Sequence, residues 1–144
     1  MISNMRFVLD TDIVVAAMRS PSGASAAILM AARSGRATLL ATVALFIEYE
    51  AICQRAEHRD AAGLDRSETK LFLDGLAYLV EEVEAHFLWR GRLRDANDDM
   101  VLDAAVNGRA DAIVTFNRRD YGDVPAEFGI GLLLPREALK RIAL

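Results

Sequence analysis

The chain has 144 residues, of which 53% are hydrophobic, with a mean hydropathy of +0.17; this length and composition fit one compact domain with a proper core. A formal net charge of −4 and a pI near 5.2 exclude a generally basic nucleic-acid-binding surface. They do not exclude a nuclease, because carboxylates gathered to hold a divalent ion make the ion-free chain acidic.

Residues 1–6 run directly into a strand signal at 6–9, with no export leader between. This strand ends in Phe7-Val8-Leu9-Asp10-Thr11-Asp12, an apolar run closed by two acids one residue apart. A buried strand with carboxylates at its C-terminal tip is how open α/β folds build sites for metals and phosphates. Helical signals follow at 13–18 and, after the Ser20-Pro21-Ser22-Gly23 break, at 24–33, with Gly35 as a stop. A second strand signal at 38–41 lies within the apolar run 37–47, which Thr38 and Thr42 interrupt. That run is too short for the roughly 20 residues of a membrane helix, so no membrane partner is expected.

Thr42 is a good N-cap for a helix over 43–55, in which Leu45, Tyr49 and Ile52 make a core-facing stripe. Glu48 falls on that stripe while Glu50 points away. A carboxylate facing the core costs several kcal/mol unless it is paired or coordinates a cation. Pairing with Arg55, or a rim position with access to water, is the alternative. Cys53 is the only cysteine, which excludes an internal disulfide and reads as the packed thiol of a cytoplasmic protein.

Asp65 or Ser67 starts a helix running through 79, and a third strand signal covers 82–87. Asp95, Asp98 and Asp99 then cluster in Arg94-Asp95-Ala96-Asn97-Asp98-Asp99, ahead of a largely apolar helix that Asn97 or Asp98 opens and that ends near 107–108. Helix capping explains one or two of these acids. Asp99, one turn before Asp103 and near the helix start, reads as the functional one, with Asp95 and Asp98 as cap or outer support. A fourth strand at 112–115 ends in Thr115-Phe116-Asn117-Arg118-Arg119-Asp120, again rich in oxygen donors. Asn117 and Asp120 also suit a simple turn. A fifth strand at 131–134 and a helix at 136–142 with Pro135 in its first turn close the chain. Strands alternating with helices predict a three-layer α/β/α sandwich with a central, mainly parallel sheet, in a single domain over 1–144.

Two strand tips, one acid on a helical stripe and one acidic helix start point to a single carboxylate-lined cleft. Oxygen donors suit Mg²⁺ or Mn²⁺; zinc would call for closely spaced Cys or His, and His58 and His86 are isolated in sequence. Carboxylates and a hard metal with no protein nucleophile are the equipment of phosphodiester hydrolysis. Arg90, Arg92, Arg94, Arg118 and Arg119 flank the acids and are placed to contact phosphates, although each alone also reads as a solvated surface residue.

Over nearly its whole length the chain resembles PIN-domain ribonucleases, in particular the VapC-like toxins of toxin–antitoxin systems. The resemblance rests on Val8-Leu9-Asp10-Thr11-Asp12, where Asn is usual in place of Asp12, on Ser20-Pro21-Ser22-Gly23-Ala24-Ser25, and on Phe46-Ile47-Glu48-Tyr49. It continues through 95–105, Ile113-Val114-Thr115-Phe116-Asn117 and the closing segment 128–135. It implies that Asp10, Glu48 and Asp99 hold the ion and its water. It further implies that Thr115 and Asn117 or Asp120 complete the shell, that Arg118 and Arg119 engage the RNA backbone, and that Asp12 orients or caps. Asn117 departs from the aspartate found in much of the family, so one ion is expected to bind firmly and a second weakly. A small antitoxin partner and a homodimer are also implied.

The opening motif resembles that of haloacid-dehalogenase-type phosphatases as well, with Asp10 as nucleophile, Asp12 as acid and Thr42 as the later hydroxyl. That reading needs an acid pair closing an apolar strand, whereas Asp98-Asp99 follow charged residues, and it leaves Glu48 unexplained. A PIN-like module that binds without cleaving is the third alternative.

Overall fold

The computed structural model describes residues 4–142, so the first part of the leader reading, residues 1–3, lies outside the described residues. Five short strands form the core: β1 (Met5–Leu9), β2 (Ala37–Ala41), β3 (Val80–Glu82), β4 (Ala112–Val114) and β5 (Gly131–Leu133). They lie in the order β3-β2-β1-β4-β5, and every neighbouring pair is parallel. Phe7, Val8 and Leu9 are all buried, as are Ala112, Ile113 and Val114, so successive residues pointing to opposite faces both meet protein. This is the signature of a sheet covered on its two sides.

The helices are α1 (Thr11–Arg19), α2 (Ala24–Arg33), α3 (Val43–Cys53), α4 (Ala56–Ala62), α5 (Arg66–Leu79), α6 (Ala96–Asn107), α7 (Arg118–Tyr121) and α8 (Pro135–Ile142). α2 packs on β2 and against α1 and α8, while α6 lies on β1, β2 and β4 with α3 beside it. The result is the expected α/β/α sandwich. No single described helix is long and apolar enough to cross a membrane.

Local chemistry sets most boundaries. Thr42 caps α3 by accepting the Leu45 N–H at 3.1 Å. Asp65 and Glu68 form a reciprocal capping box at the start of α5. Gly108, ending α6, is required by close approach: an added Cβ would lie 2.8 Å from the Ala104 carbonyl and 2.9 Å from Val83.

Three expectations shift. The helix expected over 43–55 stops at Cys53, because Arg55 is extended and caps a separate helix, α4, that ends at Gly63 with φ of 72°. β3 lies at Val80–Glu82, not 82–87, because α5 delivers the chain straight into register with β2, pairing Leu39 with Val80 and Ala41 with Glu82. α6 is capped by Asp95, which accepts the Asn97 N–H at 2.9 Å, so the helix opens earlier than Asn97 or Asp98. The irregular segment before it is pinned by buried Asp103, which accepts the Trp89 N–H at 2.8 Å and the Arg90 guanidinium at 2.6 Å.

Candidate active site

The chain leaves β1 for β2 on one side and β4 for β5 on the other, so the sheet has its switch point between β1 and β4. The carboxyl ends of parallel strands open into a crevice at such a point. Leu9 pairs with Val114, which sets Asp10 beside Thr115 at the crevice floor.

Asp10 is 8% exposed and held by three donors. Its Oδ1 accepts the Thr11 N–H at 2.8 Å, and its Oδ2 accepts the Thr115 hydroxyl at 2.8 Å and the Tyr121 hydroxyl at 3.0 Å. Burial raises its pKa above the usual carboxylate range, against the lowering effect of these bonds. The Tyr49 hydroxyl, from α3, donates to the Leu9 carbonyl just below. Asp12, in the first turn of α1, is pushed up to about 7 by burial and by the charge of Asp10. Its Oδ2 accepts the Phe116 N–H at 3.0 Å and the Asn117 side-chain amide at 3.2 Å, while its Oδ1 is buried without a partner.

A cleft of about 620 Å³ opens above these residues; Asp10, Asp12, Glu48, Asp95, Asp98, Asn117 and Asp120 line it, together with Arg19 and His58. Asp98 is 7% exposed, and burial and the charges of Asp10 and Asp95 push its pKa up to about 7. The Asp120 charge adds to the pressure on both Asp10 and Asp98. Glu48 sits half-buried at the cleft wall and forms no ion pair with Arg55, so its rim position has access to water. Acids that crowd together and raise one another's pKa form a donor set suited to a hard divalent ion. Among the described residues, no three acidic, His or Cys side chains stand close enough to grip an ion as placed.

This geometry places the residues singled out in the sequence as follows. Asp99 is buried but does not line the cleft; its charge acts on Arg90, on the Asp103 side of α6, and its Oδ1 has no hydrogen-bond partner. One residue along a helix is about 100° of rotation, and the packing of α6 turns Asp98, not Asp99, to the crevice. Thr115 is fully buried behind Asp10, where its hydroxyl donates to Asp10 and accepts the Asn117 N–H at 3.0 Å; it steadies the carboxylate and is not open to substrate. Asn117 spends its amide on Asp12, which leaves Asp120 as the further acid on the cleft. Arg118 is bound to Glu137 of α8 at 3.1 Å and turns from the cleft. The site also gathers residues that the sequence did not single out, Arg19 among them. Tyr121 is buried against Asp10, and its only signal was an aromatic following Asp120; His58 reaches the cleft from α4, whose existence was itself unread.

A parallel sheet in this order, with Asp10 at the tip of β1 and acids of α3, α6 and α7 lining one cleft at its switch point, defines a PIN-type fold. The chain belongs to the PIN-domain family, whose pattern matches residues 6–119. Members of this family are generally nucleases. Among solved structures it is similar to the crystal structure of VapBC2 from Rickettsia felis bound to a DNA fragment from their promoter, with a TM-score of 0.60 and 17% identity. That match covers 89% of this chain and 97% of the other, and at this identity it is a likeness of fold. No curated protein matches the chain. The phosphatase alternative fails on topology, since Asp98 and Asp99 begin a helix where that reading needs a strand end, and Thr42 caps α3 away from the cleft.

Proposed function

We propose that the protein is a metal-dependent endoribonuclease, the toxin of a toxin–antitoxin pair, with its reaction centre at the β1/β4 switch point. The observation that carries this reading is the convergence on one cleft of Asp10, Glu48, Asp98 and Asp120, two of which resist ionisation where they stand. Asp10, Glu48 and Asp98 would hold Mg²⁺ or Mn²⁺, with Asp120 completing the set. A bound ion of this kind activates water and stabilises the attacking and leaving oxygens of a phosphodiester. Thr115 and Tyr121 fix the Asp10 carboxylate by donating to one of its oxygens, and Asn117 and the Phe116 N–H do the same for Asp12. These bonds hold both carboxylates in place at the crevice floor.

An antitoxin partner and a homodimer belong to the same reading. They are supported by apolar side chains left open on α3, where Val43 and Ile47 are each 57% exposed, and on α5, where Tyr78 is 92% exposed.

The test is cleavage of RNA by purified protein with Mg²⁺ or Mn²⁺, alongside Asp10→Asn and Glu48→Gln. Both variants are expected to lose metal-dependent cleavage. Equal, metal-independent residual cleavage by all three proteins would sink the catalytic claim and leave a binding module. Calorimetric titration of the free protein with Mn²⁺ is expected to show one firm site; two equally tight sites would contradict the ligand set.

A further inference from the structure

A second groove, of about 540 Å³, adjoins the candidate active site and shares Asp95, Asp98 and Asp120 with it. Arg94 and Arg119 line this groove, and Arg19, at the end of α1, lines the cleft that shares those acids but not the groove itself. All three are exposed and, among the described residues, none pairs with a carboxylate, although several carboxylates lie in the same grooves. The neighbouring arginines are spent within the fold: Arg90 on Asp103, Arg92 on Glu127 and Arg118 on Glu137. The flanking arginines named in the sequence therefore divide into those that build the fold and those that face outward beside the acids.

We infer that a nucleic-acid strand lies across the site through both grooves, its backbone phosphates meeting Arg19 on one side of the reacting phosphate and Arg94 with Arg119 on the other. This rests on the metal-dependent nuclease reading, because a divalent ion among Asp10, Asp98 and Asp120 would offset the acidic field that otherwise repels a phosphate. An acidic protein then needs no basic face to take nucleic acid: three outward cations bracketing a neutralised centre give the strand a track. Arginine–phosphate pairs of this kind position the strand and carry no sequence information.

The test is binding of a fluorescein-labelled single-stranded RNA by anisotropy over a range of salt, with Ca²⁺ in place of Mg²⁺. Removing one arginine–phosphate pair should lower the slope of log affinity against log salt by about 0.7. The Arg94→Ala/Arg119→Ala variant should therefore lower it by about 1.4, and Arg19→Ala by about 0.7. Arg94→Lys/Arg119→Lys should restore most of the slope. Arg33→Ala/Arg36→Ala, which removes the same charge at exposed positions beside the N-terminal end of β2, should leave it unchanged. Equal slopes for the groove variants and the wild type would overturn the track, as would an equal drop in Arg33→Ala/Arg36→Ala, which would reduce the effect to net charge. If Asp10→Asn abolishes cleavage while these slopes do not move, the nuclease reading stands and the track falls. If cleavage is absent or metal-independent while the slopes fall, the track stands without the chemistry.

Discussion

Asp98 and Asp99 are adjacent in sequence, yet only Asp98 lines the cleft. Asp98→Asn is expected to reduce Mn²⁺ affinity and metal-dependent cleavage by at least about 100-fold, the upper range for outer-shell partners of a metal. Asp99→Asn should keep most of both; the reverse order would restore Asp99 as the ligand. Asp98 also predicts a pH effect of definite sign. Its folded pKa of about 7 lies above the value of 3.8 for an unperturbed carboxyl, so the folded state holds a proton that the unfolded state releases. The stability associated with that proton is complete below about pH 4 and is lost as pH rises through about 7. In EDTA, Asp98→Asn should therefore gain melting temperature over the wild type between pH 5 and pH 8, and excess Mn²⁺ should narrow the gap by stabilising the wild type. A constant difference across that range would show that Asp98 is not strained. Asp10 stood out in sequence because an apolar run closed at once by acids is a local pattern. Which of Asp98 and Asp99 faces the cleft was not legible there, since that depends on how α6 is rotated by its packing. Tyr121 was hidden for a related reason: its partner lies 111 residues away.

At the scale of elements, capping and turn chemistry carried most of the boundaries. Thr42, Asp65 and the Gly35 stop were all readable because each acts within one helical turn. β3 was misplaced because Val80 and the residues after it have no strong alternation of their own; their pairing with β2 decides where the strand lies. Gly108 shows how tightly α6 is seated. Gly108→Ala places a methyl against the Ala104 carbonyl, Val83 and Leu40, and should destabilise the protein by about 1–3 kcal/mol in urea titration. An unchanged stability would mean that this end of α6 can move freely. Tyr49→Phe, which leaves the carbonyl at the end of β1 without its donor, should cost about 1–3 kcal/mol with little change in secondary structure by circular dichroism.

For the whole molecule, the pattern of strands alternating with helices was enough to predict the sandwich, because a parallel sheet needs helical crossovers and two covered faces. What that pattern left open is the outside of α3, a helix apolar on nearly every side yet buried only through Leu45, Tyr49 and Cys53. A helix of that composition is normally enclosed. Sedimentation of the purified protein is expected to give a dimer, and Ile47→Glu to shift it towards monomer without lowering its melting temperature at low concentration. A monomeric wild type would leave the exposed face of α3 to a different partner.

The bracing of Asp10 also sets an order on synthesis. Thr115 and Tyr121, which hold its carboxylate, are 105 and 111 residues further along the chain. At about 5–20 residues per second, a translating ribosome needs roughly 5–20 s to make that stretch. Throughout this interval the nascent chain carries Asp10 without β4 beside it, without Asp120 and, for most of the time, without Asp98. On the nuclease reading proposed above, the reaction centre would therefore stay unassembled until β4 and α7 had docked against Asp10.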